Sequence, residues 1–231
     1  MMHVKFEEWL KEQAEEICPV MHLSQSETWL ALDLSVENEE LQGERVTDTT
    51  SMGAYIQEKM RAVGAKYGVG GYNEHRALYA RSEVFSGAEP RRIHLGIDIW
   101  GEAGTPVVSP LNARVHSFAM NNAFGDYGAT IILEHNLGGS IFYTLYGHLS
   151  ACDLEGLYIG KPIAKGEAFA HLGEPHENGH WPPHLHLQCM LNMQGKEGDY
   201  PGVCTLTDRE VYLANCPNPT PFITWLKNRQ N

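Results

Sequence analysis

The chain has 231 residues, 42% hydrophobic and 20% charged, the composition of a globular protein with one substantial domain, with or without an appendage. Its net charge of −12 disfavours a nucleic-acid or anionic-membrane partner, since both need a basic face. Twelve histidines is a large number for this length, and the sequence has to place them.

In chain order, Phe6, Trp9, Leu10 and Ile17 recur at helical spacing between Glu and Lys, which predicts an amphipathic helix over about 4–17, ended by Cys18-Pro19. Charged residues interrupt this segment throughout, so it lacks the pattern of a secretory signal, and no run reaches the roughly 18 apolar residues of a membrane span. WLALDLSV alternates as a strand, 37–48 reads as a polar loop, and Met52, Tyr55, Ile56, Met60 and Val63 predict a second helix over about 50–63, stopped at Gly64. Residues 66–90 open Gly-rich and read as a connection into the next unit; the stretch with Asn73, Glu74 and Arg76 could fold over a groove in that unit, but a solvated connection is the expected reading. From Arg91 onward, short apolar runs (IHLGIDIW, ARVHSFA, GATIILEH, SIFYTLYGHL, AFAHLG, HLHLQCML) alternate with Gly, Pro and Asn clusters, the texture of a compact antiparallel β domain. The expected organisation is an extension over 1–90, a β domain over 91–215 and a tail over 216–231, mainly β with N-terminal α (α+β). Cys18, Cys152, Cys189, Cys204 and Cys216 form no CxxC pair, so the expectation is reduced thiols in a cytoplasmic protein.

Three histidine clusters stand out at strand spacing. Side chains alternate faces along a strand, so in PPHLHLQ His184, His186 and Gln188 share one face and Leu185 and Leu187 the other. In RRIHLGIDIW, His94, Gly96 and Asp98 share a face, and Gly96 leaves room over the backbone. In FYTLYGHLS, the same rule puts Phe142, Thr144, Tyr146 and His148 together. A lone HxH or HxxxD occurs by chance in many chains; the three together, each opposite an aliphatic face, point to zinc. Zinc takes His nitrogen and carboxylate oxygen, and catalytic sites use three protein ligands. Four His and one Asp exceed three ligands, and the surplus histidines would stand where acid–base chemistry needs them.

These motifs resemble the lysostaphin/LytM-type zinc metallopeptidases. The HxGxD motif with its Gly-Thr-Pro-Val turn reads HLGIDIWGEAGTPVVSP here, the central strands read ATIILEH and FYTLYGHLS, and the HLH signature reads PPHLHLQ, over about 91–192. The resemblance implies a small antiparallel sheet with a metal-bearing groove. It implies one Zn²⁺ held by His94, Asp98 and His186, with His148 and His184 as catalytic histidines. The activity implied is hydrolysis of a peptide amide by metal-activated water, in peptidoglycan-type or Gly-rich peptides. Trp181 and Pro182 replace small residues and Gln188 stands at a usually acidic position, so the groove wall is expected to differ. Tyr146, His180 and Trp181 are groove candidates; His180 also reads as an exposed loop residue and Tyr146 as a half-buried strand residue. His135, at a strand end, is expected to be structural or to support a ligand. The wording also resembles a metallopeptidase-like segment of large cytosolic fusion proteins, which leaves two alternatives: a cytosolic amide hydrolase with a non-cell-wall substrate, and a silent zinc-binding module.

Overall fold

The N-terminal apolar repeat folds as helix α1 (Met2–Glu12), followed by a single 3-10 turn at Ala14–Glu16. A computed structural model of the protein describes residues 2–76 and 89–229. Strand β1 (Thr28–Leu32) is shorter than its alternating pattern, although Leu34 beyond it is still fully buried. A short helix α2 (Glu44–Thr47) precedes α3 (Thr49–Ala62). Asp48 caps α3 by accepting a bond from Ser51 N at 2.7 Å, and Gly64 follows it with φ of 64°, a left-handed stop suited to glycine.

The remaining strands are β2 (Ala65–Gly70), β3 (Ile93–His94), β4 (Ile97–Trp100), β5 (Pro106–Val108), β6 (Ala113–Asn121), β7 (Gly128–Leu137), β8 (Ser140–Leu149), β9 (Pro162–Ile163), β10 (Ala168–His171), β11 (His184–Met190) and β12 (Val203–Cys204), before helix α4 (Arg209–Asn215). Seven of them join β1 in one sheet of order β1-β2-β4-β11-β8-β7-β6-β9. All pairings in it are antiparallel except β1 with β2, which is parallel. The sheet is therefore antiparallel-rich. Residues 28–32 and 65–70, expected in a separate extension, are instead its outer strands, with Gly68, Val69 and Gly70 opposite Trp100, Ile99 and Asp98.

Alternation decides what each face carries. Ile97, Ile99, Leu185, Leu187, Tyr67 and Val69 point to one side and pack with Leu10, Phe222 and Trp225, so α1 and the C-terminal turns close the main core. Fully burying each such aliphatic side chain contributes roughly 1.5–3 kcal/mol. Among the described residues, two clusters cover the opposite face. Met52, Tyr55 and Ile56 of α3 pack with Leu32, Leu34, Trp100 and Trp181 on one side, and Tyr127, Leu145, Tyr200 and Leu213 form the other cluster. Between these two walls lies a groove. No described helix is long and apolar enough to cross a membrane.

Candidate active site

The second sequence motif does not form one strand: β3 pairs with β12 and β4 with β11, and the chain turns between them at Leu95-Gly96. That turn brings His94 and Asp98 to one point. His94 Nε2 lies 3.3 Å from Asp98 Oδ1, and His186 Nδ1 lies 3.1 Å from the same oxygen and 3.0 Å from His94 Nε2. All three residues are buried. Gly96 is required there, since a Cβ would stand 2.8 Å from the His186 ring and 2.6 Å from the Leu187 carbonyl.

The protons on these rings are set by their outer contacts. Nδ1 of His94 lies 2.9 Å from the Gly71 carbonyl, which can only accept, so that nitrogen carries the hydrogen and Nε2 is bare. Nε2 of His186 lies 3.0 Å from Gln188 Oε1, whose amide NH₂ donates to the Pro201 carbonyl at 3.1 Å, so His186 Nδ1 is bare as well. Burial, followed by the nearby Arg76 charge, depresses the His94 pKa to about 4, which keeps the ring neutral. Burial works against ionising Asp98, but the Arg76 guanidinium paired with it outweighs this and holds its carboxyl well below the usual range. Three lone-pair atoms thus converge with no hydrogen between them, a repulsive arrangement unless a cation sits among them. Donors about 2.0–2.1 Å from one tetrahedral ion lie roughly 3.3–3.4 Å apart, close to the distances seen. These three residues could hold a metal ion.

His184 and His148 stand beside this triad. His184 Nε2 is 4.0 Å from Asp98 Oδ1, outside the donor cluster, and its ring stacks on Trp100 at 3.9 Å. His184 Nδ1 donates to the Pro182 carbonyl and His148 Nδ1 to the Asn178 carbonyl, each at 2.8 Å, so each ring presents a bare Nε2. Burial lowers both pKa values, to about 4 for His184 and well below the ordinary range for His148, where the neighbouring His184 adds to the effect.

Strict alternation fails at the third motif. Ala129 faces Leu149 and Ile131 faces Tyr146, so Gly147 and His148 together oppose Thr130, a β-bulge. His148 is left-handed there, with φ of 62°, a state costing about 1–2 kcal/mol for a non-glycine residue. It is held by His148 N donating to the Tyr127 carbonyl at 2.7 Å and by Gly173 N donating to its own carbonyl at 2.9 Å. The bulge sends His148 to the groove and leaves Tyr146 fully buried in the main core against Phe169, so Tyr146 is corrected from groove candidate to core residue.

Residues 92–198 match the family model described as Peptidase family M23. The chain carries a peptidase M23 domain. Among solved structures, it is 28% identical to a zinc-containing peptidase from Vibrio cholerae, covering 42% of this chain and only 28% of that one, with a TM-score of 0.34. It is 23% identical to the catalytic domain of lysostaphin from Staphylococcus simulans (57% of this chain, 80% of that one, TM-score 0.39). It is 18% identical to the catalytic domain of EnpA, a prophage-encoded M23 protein from Enterococcus faecalis (51% and 95%, TM-score 0.35). No curated protein matches the chain.

The groove of the M23 domain opens into a cavity of about 200 Å³ whose walls include Trp100, Tyr127, Trp181 and Tyr200. Trp181 is buried in that wall, whereas His180 is exposed, stacks on Phe124 and does not line the cavity. His135 is far from a ligand role: it packs on Phe142 and hydrogen-bonds Thr144 Oγ1 at 2.7 Å inside the core. Two contributors escaped the sequence reading. Asn178 is fully buried; its carbonyl orients His148, and its side chain bonds the Gly173 carbonyl and Trp181 N. Its only signal was the turn-forming Asn178-Gly179 pair. Arg76, expected in a solvated connection, is 1% exposed and ion-paired with Asp98 and Glu74. A charged residue in a Gly-rich segment carries no sequence mark of burial.

Proposed function

We propose that the protein is a zinc-dependent metallopeptidase that cleaves a peptide amide, with His94 Nε2, Asp98 Oδ1 and His186 Nδ1 as the zinc ligands. The observation that carries this reading is the convergence of three bare acceptor atoms beside two neutral histidines. Zinc, when bound, supplies Lewis acidity that polarises a carbonyl and acidifies water. The donor cluster has three members among the described residues, which favours a catalytic over a closed structural site.

His148 and His184 supply the proton traffic. Neutral near pH 7, each can take a proton from attacking water at its bare Nε2, because its Nδ1–H is committed to a carbonyl. The imidazolium so formed becomes a donor at that same atom, able to bond a developing oxyanion or to protonate the departing amine. The peptide lies in the groove between the Trp100–Trp181 and Tyr127–Tyr200 walls.

The test is to measure bound zinc and then hydrolysis of a panel of glycine-rich, peptidoglycan-derived and unrelated peptides. One zinc per chain and turnover of at least one peptide are expected. Zinc without turnover of any amide would favour a silent binding module, and absence of zinc would sink the reading.

A further inference from the structure

Residues 71–76 run along the metal site although they precede the M23 domain. Asn73 N donates to the His94 carbonyl at 2.8 Å and His94 N to the Glu74 carbonyl at 3.0 Å, so this strap is fixed to the strand bearing the first histidine. Arg76 N donates to the Arg92 carbonyl at 2.9 Å. The Arg76 side chain then enters the protein. Its Nη1 donates to Asp98 Oδ2, and its Nε donates to Glu74 Oε2 at 2.8 Å. Glu74 is itself held, accepting from Leu34 N at 3.1 Å. The seat for the guanidinium is cut into β2. Gly70 lies opposite Asp98 in the sheet, and a Cβ on it would stand 2.7 Å from Arg76 Nη2.

This arrangement divides the two oxygens of Asp98. Oδ2 belongs to Arg76, and Oδ1 faces His94 and His186. A carboxylate free to rotate could turn either oxygen, or both, toward an ion. We infer that Arg76, seated by Glu74 and Gly70, is a positioning residue of the metal centre: it occupies Oδ2 so that Asp98 offers a single oxygen, and the centre is therefore completed by chain outside the M23 domain. The inference rests on the zinc reading above. It concerns an ion pair that is 1% exposed on the arginine side, where the planar guanidinium fixes geometry as well as charge. Ligand-supporting partners of this kind are generally worth about 10–100-fold in metal affinity.

The experiment compares wild type, Arg76→Ala, Arg76→Lys and Glu74→Gln in the full chain. Zinc affinity is read by chelator competition, coordination by the visible absorption of the Co²⁺-loaded protein, and folding by thermal melting. Arg76→Ala should bind zinc roughly 10–100-fold more weakly. Its cobalt bands should weaken, as expected when a second carboxylate oxygen enters the coordination sphere. Arg76→Lys keeps the charge without the fork and should recover folding more than cobalt absorption. If Arg76→Ala does not fold, Arg76→Lys and Glu74→Gln carry the same readouts with smaller expected shifts. Folded Arg76 variants with wild-type zinc affinity and wild-type cobalt bands would overturn the inference while leaving the metal site intact. A wild type that binds no zinc would overturn the zinc reading itself, and this inference with it.

Discussion

The rings of His148 and His184 lie face to face with centroids 4.1 Å apart, 31° from parallel, and each donates its Nδ1–H to a different main-chain carbonyl. Two buried imidazoles at this distance cannot both be protonated cheaply, because each charge raises the cost of the other in a medium that already disfavours charge. The pair thus disfavours holding two protons at once.

Substitution at this pair should separate chemistry from metal binding. His148→Ala and His184→Ala should each retain zinc and lower kcat/KM by about 10²–10⁴-fold. Asp98→Ala should lose the metal and activity together. Metal content by elemental analysis beside peptide hydrolysis checks this, and loss of zinc in His148→Ala would contradict the assignment.

Gly96→Ala tests the packing that makes the site. The added methyl would meet the His186 ring and the Leu187 carbonyl, neither of which can withdraw without breaking the β4–β11 pairing. Overpacking of this kind costs about 1–3 kcal/mol. Melting with and without zinc should show a lower Tm and a much reduced stabilisation by the metal.

Trp181→Ala should destabilise the protein by about 3–5 kcal/mol, the range for truncating a buried tryptophan. Trp181 is 4% exposed and packs with the α3 wall, edge-on to both His148 and His184. Urea denaturation of this variant beside Trp181→Phe measures it; a change under about 1 kcal/mol would show that the wall does not depend on the indole.

His135 predicts an acid limb in stability that is independent of the metal. Burial lowers its pKa from 6.5 to about 4 in the native protein. Between those values the unfolded chain binds a proton that the native state excludes, so stability falls as pH falls through that window. A shift of this size corresponds to about 3 kcal/mol. Denaturation midpoints of metal-free protein across pH 7 to 4 should therefore fall more steeply in wild type than in His135→Gln.

Alternation was enough to put His184 and His186 on one face, because the period of two is a local property of a strand and Leu185 and Leu187 mark the core face, whereas His94 and Asp98 meet through the turn at Leu95-Gly96 that ends one strand and starts another. The same rule misplaced Tyr146. A bulge adds one residue to one strand, and whether it forms depends on the partner strand and on carbonyls from residues 127 and 178, which are distant in sequence from His148. Helices α1 and α3 and most strands were likewise legible as local patterns, whereas α2, inside the expected 37–48 loop, and α4 were not. Which of them share a sheet was not: β2 pairs with β4, and there Gly68 and Gly70 leave room on one face for Leu32, Leu34 and Arg76. Residue types and spacing thus determined which chemistry the chain can carry. The tertiary structure decided which lone pairs meet and which protons face away from them, because a histidine's tautomer and a carboxylate's free oxygen are set by partners that only folding brings within hydrogen-bond distance.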